Sequence, residues 1–303
     1  MSVNALYTDL SGYYDLMCVD IDYLAQSHAI RRLHQIFGNE GKRHLDLACG
    51  TGPHVRYFLD AGYTSSGLDI NQPMLDIAAQ RCPEAHFSLQ DMSSFEVDEP
   101  LDLITCLLYS IHYSDGLDKL GDCIASAHRA LNEGGVFCFN AVDKQRINNA
   151  LSAKHTAQQA GATFSFCSGW HYSGQGARQS LRLSIEKTEA GKTQMWNDEH
   201  PMVAVSFSEL IALLEPTFEV HVFEHDYQTI TPWDNVSGNA IFVCEARGPR
   251  LTVIVGAKLP LNAHQEVAQH LVFALAVILV AGLAEERAEF VRAKRQAHLI
   301  EHF

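Results

Sequence analysis

At 303 residues, with 47% hydrophobic and 19% charged content, the chain has the make-up of an ordinary globular protein, large enough for one domain plus an appendage. Its 22 Lys and Arg stand against 36 Asp and Glu, a formal charge of −14 with no basic run before the tail. That balance argues against a DNA or RNA partner, whose phosphates call for a positive face. The eight cysteines are scattered without a Cys-x-x-Cys pair, and Cys49, Cys106, Cys138 and Cys244 fall inside apolar strand patterns. Reduced thiols are therefore expected. The N-terminus carries no secretory pattern, so a cytoplasmic protein is expected as well.

In chain order, residues 13–37 show helical spacing, with Tyr23, Leu24, Ile30, Leu33 and Ile36 recurring on one face. Residues 43–140 then alternate strand and helix, at about 43–47, 52–61, 64–69, 72–81, 85–89, 101–108, 115–132 and 134–140. That rhythm predicts a parallel sheet with right-handed crossovers, whose ligands lie beyond the carboxyl ends of the strands. After Asn140 the rhythm changes. β-rich runs over about 162–205 are separated by Ser173-Gly174-Gln175-Gly176 and Glu189-Ala190-Gly191-Lys192, which predicts an antiparallel insertion joined by tight turns. A helix over Ser206–Leu214 opens with capping-box spacing, Ser206 to Glu209, and strands at about 217–227 and 238–246 complete the sheet.

The first domain is thus expected to span 1–248, and residues 249–303 form a strand–helix appendage of unknown role. There Leu251–Val255 reads as a strand and Asn262 as the cap of a long helix. Fourteen residues within it, Leu271 to Ala284, carry no polar side chain. A membrane span needs about 20, so a buried helix is expected and no stable membrane insertion. Such a helix must bury its apolar surface, and self-association into a homodimer is the working expectation.

The richest stretch is Leu45-Asp46-Leu47-Ala48-Cys49-Gly50-Thr51-Gly52, an apolar strand ending in Gly-Thr-Gly ahead of a helix. Glycines at such a turn let the backbone press against a ligand. A dinucleotide fingerprint needs a small residue three positions after the second glycine; Val55 stands there, which argues against NAD. Further landmarks follow in order: Gly67-Leu68-Asp69-Ile70-Asn71 closing a second strand, Gln90-Asp91-Met92 after a third, Leu101–Cys106 as a fourth, and Leu131-Asn132-Glu133-Gly134-Gly135 leading into a fifth.

Taken together, these residues resemble the class I S-adenosylmethionine-dependent methyltransferases. With the antiparallel runs ahead of the last two sheet strands, the pattern is nearest to small-molecule N-methyltransferases such as sugar N,N-dimethyltransferases and glycine N-methyltransferase-like enzymes. The resemblance implies a Rossmann-like α/β sheet, mostly parallel with an antiparallel last strand, and S-adenosyl-L-methionine as cofactor. It implies that Gly50, Thr51 and Gly52 admit the methionine part, that Asp46 lies near its amino group, and that Asp69 binds the ribose. Ile70 and Met92 would flank the adenine, Asp91 would accept from its amino group, and Ala48, Met74 and Leu107 would complete the lining. Ser11-Gly12-Tyr13-Tyr14-Asp15-Leu16 resembles the family's N-terminal cap, with Tyr14 closing over the cofactor.

On the substrate side, Leu108-Tyr109-Ser110-Ile111-His112-Tyr113 resembles the family's fourth-strand loop, with His112 where glycine is usual. His112 and Tyr14 are the catalytic candidates, His112 as a base near neutral pH. Trp170-His171-Tyr172 and Trp196-Asn197-Asp198-Glu199-His200 suit an amine through cation–π contact and ion pairing, or else simply pack the sheet. His221, His225 and His200 lack metal-ligand spacing, so no metal is expected. The expectation is methyl transfer to a small-molecule acceptor, at an amine nitrogen. The alternatives are an RNA- or protein-modifying methyltransferase and a non-catalytic binding subunit on the same fold. The Asn/Asp-Pro-Pro-aromatic tetrad of DNA adenine methyltransferases is missing from the fourth-strand loop.

Overall fold

The computed structural model describes residues 13–248. The expectations for Ser11, Gly12 and the 249–303 appendage lie outside the described residues.

A seven-stranded sheet is the frame, formed by β1 (Arg43–Leu47), β2 (Thr64–Asp69), β3 (His86–Leu89), β4 (Leu101–Cys106), β5 (Leu131–Val142), β10 (Phe218–Glu224) and β11 (Asn239–Ala246). Its order is β10-β11-β5-β4-β1-β2-β3. Strands β1 to β5 pair in parallel, while β11 is antiparallel to both β5 and β10. The chain therefore runs outward in one direction from β1 through β2 to β3 and in the other from β4 to β5. The switch point lies between β1 and β4, where an open α/β sheet leaves a crevice beyond the strand ends.

Alternation along the strands sends side chains to two apolar layers. In β5, Phe137, Phe139 and Ala141 pack with α5 (Leu117–Ala130) and α6 (Phe207–Leu214). Val136 and Cys138, between them, join Ile30 and Leu33 of α2 (Tyr23–Phe37) and Phe58 of α3 (Pro53–Asp60) on the other face. A second cluster on that side links Val55 to Leu75 of α4 (Gln72–Arg81). All eight cysteines are unpaired, and Cys49, Cys106, Cys138 and Cys244 are buried as small apolar groups.

Two element boundaries differ from the sequence reading. The expected helix over 13–37 is broken into α1 (Tyr14–Met17) and α2, because Asp22 takes the N-cap of α2 and accepts from Ala25 N–H at 2.9 Å. The antiparallel insertion begins earlier than 162. It has four strands, β6 (Ala153–Gln159), β7 (Ala162–Tyr172), β8 (Arg178–Glu189) and β9 (Lys192–Val203), paired in that order. β6 is an edge strand whose sequence, Ala-Lys-His-Thr-Ala-Gln-Gln, is mostly exposed and so shows little apolar alternation. The capping box of α6 forms as expected, Ser206 accepting from Glu209 N–H and Glu209 accepting from Ser206 N–H.

Candidate active site

The glycine turn after β1 is shaped by backbone conformation. Gly50 has φ +55°, and a Cβ there would meet only the Tyr14 ring within 4 Å, at 3.8 Å, so the peptide faces open space. Gly52, at φ +77°, caps α3, and a Cβ would stand 3.0 Å from Ala78 Cβ. Its role is close helix packing. Asp69 ends β2 and holds this turn: Oδ2 accepts from Gly50 N–H at 2.9 Å, and Oδ1 accepts from Asn71 N–H at 2.9 Å. Burial pushes the Asp69 carboxyl up, against the pull of those hydrogen bonds.

A cavity of about 440 Å³ opens over this edge, within the size range of small-molecule sites. Tyr14, Ala48, Gly50, Asp69, Ile70, Met74, Asp91 and Met92, eight of the expected site residues, line it. On its far wall stand Ser110 and Tyr113 of the expected fourth-strand loop, together with residues that were not foreseen: Ser114 and Asp115 after β4, Arg178 from β8, and Pro201 and Met202 from β9. Arg178 lies at the start of a strand, and only the folding of the second sheet over the strand ends reveals its position. Leu108 and Tyr109 adopt φ +54° and +63°, and Tyr109 N–H donates to Asn140 Oδ1 at 3.1 Å. Two successive left-handed non-glycine residues are strained, as functional loops often are; here they turn the chain into the 3₁₀ segment Ser110–Tyr113.

Five expected site residues have other positions. Asp46 is buried beneath the glycine turn, where Thr105 Oγ1 donates to its Oδ1 at 2.6 Å and His54 Nδ1 stands 3.9 Å from Oδ2. Burial holds its carboxyl at about 7. Thr51 donates to Asp15 Oδ1 at 2.6 Å, and its carbonyl accepts from Arg81 at 2.8 Å; Arg81 also pairs with Asp15. Thr51 is thus the latch that ties α1, and Tyr14 with it, to the turn. Gly52 packs on α4, as above. Leu107 belongs to the apolar layer around Ile30 and Phe58.

His112 requires a correction. It is fully buried, Val142 N–H donates to its Nε2 at 3.0 Å, and its Nδ1 donates to the Val203 carbonyl at 3.0 Å. Burial lowers it to about 4. Both nitrogens are engaged by backbone, so His112 staples β5 to β9 and is not placed to act as a base in the cleft. The tryptophans also pack: Trp170 meets Tyr109 and His112 edge-on, and Trp196 joins the apolar cluster of the second sheet. Among the histidines weighed for a metal, His221 stands with Glu219 and Glu245, their ligand atoms within 4.8 Å of one another. His200 instead bonds Tyr113, and His225 bonds Asn140.

The cavity wall fits S-adenosylmethionine. That cofactor is cationic at sulfur and lacks phosphates; among the described residues the wall offers an open glycine backbone, the carboxylates Asp69, Asp91 and Asp115, and one Arg.

Comparison with known proteins agrees with this geometry. Residues 45–135 match a family model described as "Methyltransferase domain". Over 115 residues the chain is 33% identical to dTDP-4-amino-2,3,4,6-tetradeoxy-D-glucose N,N-dimethyltransferase of Saccharopolyspora spinosa, covering 38% of this chain and 46% of that one. It is 31% identical over 130 residues to dTDP-3-amino-3,4,6-trideoxy-alpha-D-glucopyranose N,N-dimethyltransferase of Streptomyces venezuelae, covering 42% and 55%. The chain thus spans about half the length of these curated relatives. In fold, it superposes on the crystal structure of Streptomyces venezuelae DesVI with a TM-score of 0.69 and 23% identity, over 80% of this chain and 99% of that one. The sugar N-methyltransferase KedS8 of Streptoalloteichus gives a TM-score of 0.66 and 21% identity, over 78% and 93%. Residues 45–135 thus resemble a methyltransferase domain, set in a Rossmann-like fold shared with DesVI and KedS8.

Proposed function

We propose that this protein transfers a methyl group from S-adenosylmethionine to the nitrogen of a small-molecule amine, with nucleotide-linked amino sugars as the substrate class. The observation that carries this reading is the single cavity shared by two walls. One presents Gly50, Asp69, Ile70, Asp91 and Met92; the other presents Tyr113, Asp115, Arg178 and Met202. The first suits the cofactor and the second suits a polar acceptor.

When bound, the cofactor supplies an activated methyl group, so the chain's part is to orient the acceptor, exclude water and manage a proton. Asp69 presents carboxylate oxygens to hydroxyls at the end of β2. Ile70 and Met92 offer apolar faces for a flat ring, and Asp91 an acceptor beside them. Tyr14, anchored through the Asp15–Thr51–Arg81 latch, closes the opening above Gly50. Arg178 is the cationic group of the acceptor wall, suited to an anionic portion of the acceptor. The amino sugars named in the relatives carry such a portion in the dTDP group.

The test is incubation of the full-length protein with S-adenosylmethionine and dTDP-3-amino-3,4,6-trideoxyglucose, followed by mass spectrometry. The expected result is acceptor carrying one or two added methyl groups. Tight cofactor binding with no methylated product from this or related amino sugars would reject the substrate class.

A further inference from the structure

The inward-facing row of β9 reads Trp196, Asp198, His200, Met202. Its ends are apolar. Trp196 packs in the core of the second sheet, and Met202 lines the cavity. Opposite, β8 presents Ile185, Leu183 and Leu181 to Trp196, Asp198 and His200 in turn. Alternation calls for apolar residues at such positions. The chain instead places a carboxylate and a fully buried imidazole there, at a desolvation cost that packing alone does not explain.

The arrangement is directional. Tyr113, which lines the cavity, has its hydroxyl 2.7 Å from His200 Nδ1. On the other side of the ring, His200 Nε2 is 3.8 Å from Asp198 Oδ2, and the Asp198 side chain is 9% exposed. A carboxylate on the Nε2 side favours the tautomer with hydrogen on Nε2, which leaves Nδ1 to accept the tyrosine proton. Cavity, phenol, imidazole and carboxylate thus stand in line, from the acceptor wall into the interior.

We infer that Tyr113, His200 and Asp198 form a proton relay that deprotonates the acceptor nitrogen, with Tyr113 the catalytic residue and His200 and Asp198 positioning residues behind it. The inference rests on the amine reading of the site. An amine arrives largely as ammonium and must be neutral to attack. In the relay, the substrate N–H bond breaks and a new O–H bond forms on Tyr113. The original tyrosine O–H bond breaks as an N–H bond forms at His200 Nδ1. The electron pair stays on the substrate nitrogen, and the imidazolium is balanced by Asp198. Burial lowers the His200 imidazole and Asp198 raises it, so the carboxylate offsets the environment's resistance to that charge. Among the described residues, Asp115, beyond Tyr113 in the same loop, and Arg178 of β8 are charged groups of the same cavity wall.

The test has two readouts on the full-length protein. Nitrogen-15 NMR of labelled histidines, with the His200 signal identified by its loss in His200→Gln, should show hydrogen on Nε2 and none on Nδ1 at mildly alkaline pH. A protonated Nδ1 at that pH would overturn the relay without any reference to turnover. The second readout is kcat/KM against pH for dTDP-3-amino-3,4,6-trideoxyglucose in wild type, Tyr113→Phe, His200→Gln and Asp198→Asn. Near neutral pH the first two variants should lose roughly 100-fold and Asp198→Asn roughly 10-fold. The losses should shrink as pH rises and free amine accumulates in solution. A loss that stays constant with pH would mark these residues as structural and reject the relay alone. A wild-type protein that binds cofactor but methylates no amine would remove the amine reading and the relay with it.

Discussion

The two walls of the cavity are built by different rules. The first wall is made at the ends of parallel strands by short local segments: a glycine turn, then a carboxylate two strands' chemistry can share, as Asp69 does by accepting from both Gly50 and Asn71. The second is made by side chains along antiparallel strands, Arg178, Pro201 and Met202, brought over the first sheet by an insertion between β5 and α6. Each position of the first wall is marked locally, at the end of its own strand. The second depends on strand register, since a one-residue slip would exchange the face that carries Arg178 and Pro201 with the face that carries Met202.

The joint between the walls is the largest vulnerability. His112 bonds Val142 of β5 and Val203 of β9, so His112→Ala leaves two buried backbone groups unpaired. The expected cost is about 1–3 kcal/mol for each group, measured by denaturant unfolding. A variant as stable as wild type would show that the walls are held together elsewhere. On the first wall alone, Asp69→Ala should lose about 1–3 kcal/mol of cofactor binding in calorimetry, while acceptor contacts are untouched. Arg178→Ala should do the reverse. The acceptor KM should rise roughly 10-fold or more, as for a lost charge-assisted hydrogen bond, with cofactor affinity unchanged. If Arg178→Ala weakened both ligands equally, the division of labour between the walls would be wrong.

A further effect lies beneath the first wall and is read through pH. The Asp46 carboxyl sits at about 7 in the folded protein against an ordinary 3.8. Between those values the folded state holds the proton more than the unfolded chain does, so this group's contribution to stability falls as pH rises through that window. His54 and His112 act in the opposite sense. Burial lowers them to about 3 and about 4 from 6.5, so their contribution is lost as pH falls below about 6.5. Asp46→Asn should therefore gain in Tm relative to wild type as pH rises from about 4 to about 7, and the difference should level off above that. A difference that stays flat across the window would mean Asp46 is ionised throughout.

Legibility in the sequence followed the same division. The order and nature of the parallel strands were readable because apolar runs, Gly50, Gly52 and the terminal Asp69 mark each strand end locally. Eight cavity residues, Tyr14 and Met74 among them, came from the methyltransferase resemblance that this pattern carried. Asp46 and Thr51 were placed correctly in the chain but not in role, because one is drawn under the turn by Thr105 and the other toward the cap by Asp15. Both partners are distant in sequence. His112 sits beside the cleft in sequence, and only tertiary contacts turn its ring to the backbone of two strands. Arg178 carried no local signal. An Arg opening a strand reads as a solvated edge until the insertion folds over the cavity. β6 was missed for a related reason, since an exposed edge strand lacks the alternation by which strands are recognised.

Function turns on whether the first wall holds S-adenosylmethionine. Isothermal titration of the purified full-length protein with S-adenosylmethionine, and separately with NAD, tests it most directly. Micromolar binding of S-adenosylmethionine, abolished or strongly weakened in Asp69→Ala, and no binding of NAD are expected. A folded protein that binds NAD, or that shows no heat with S-adenosylmethionine, would contradict that role for the first wall.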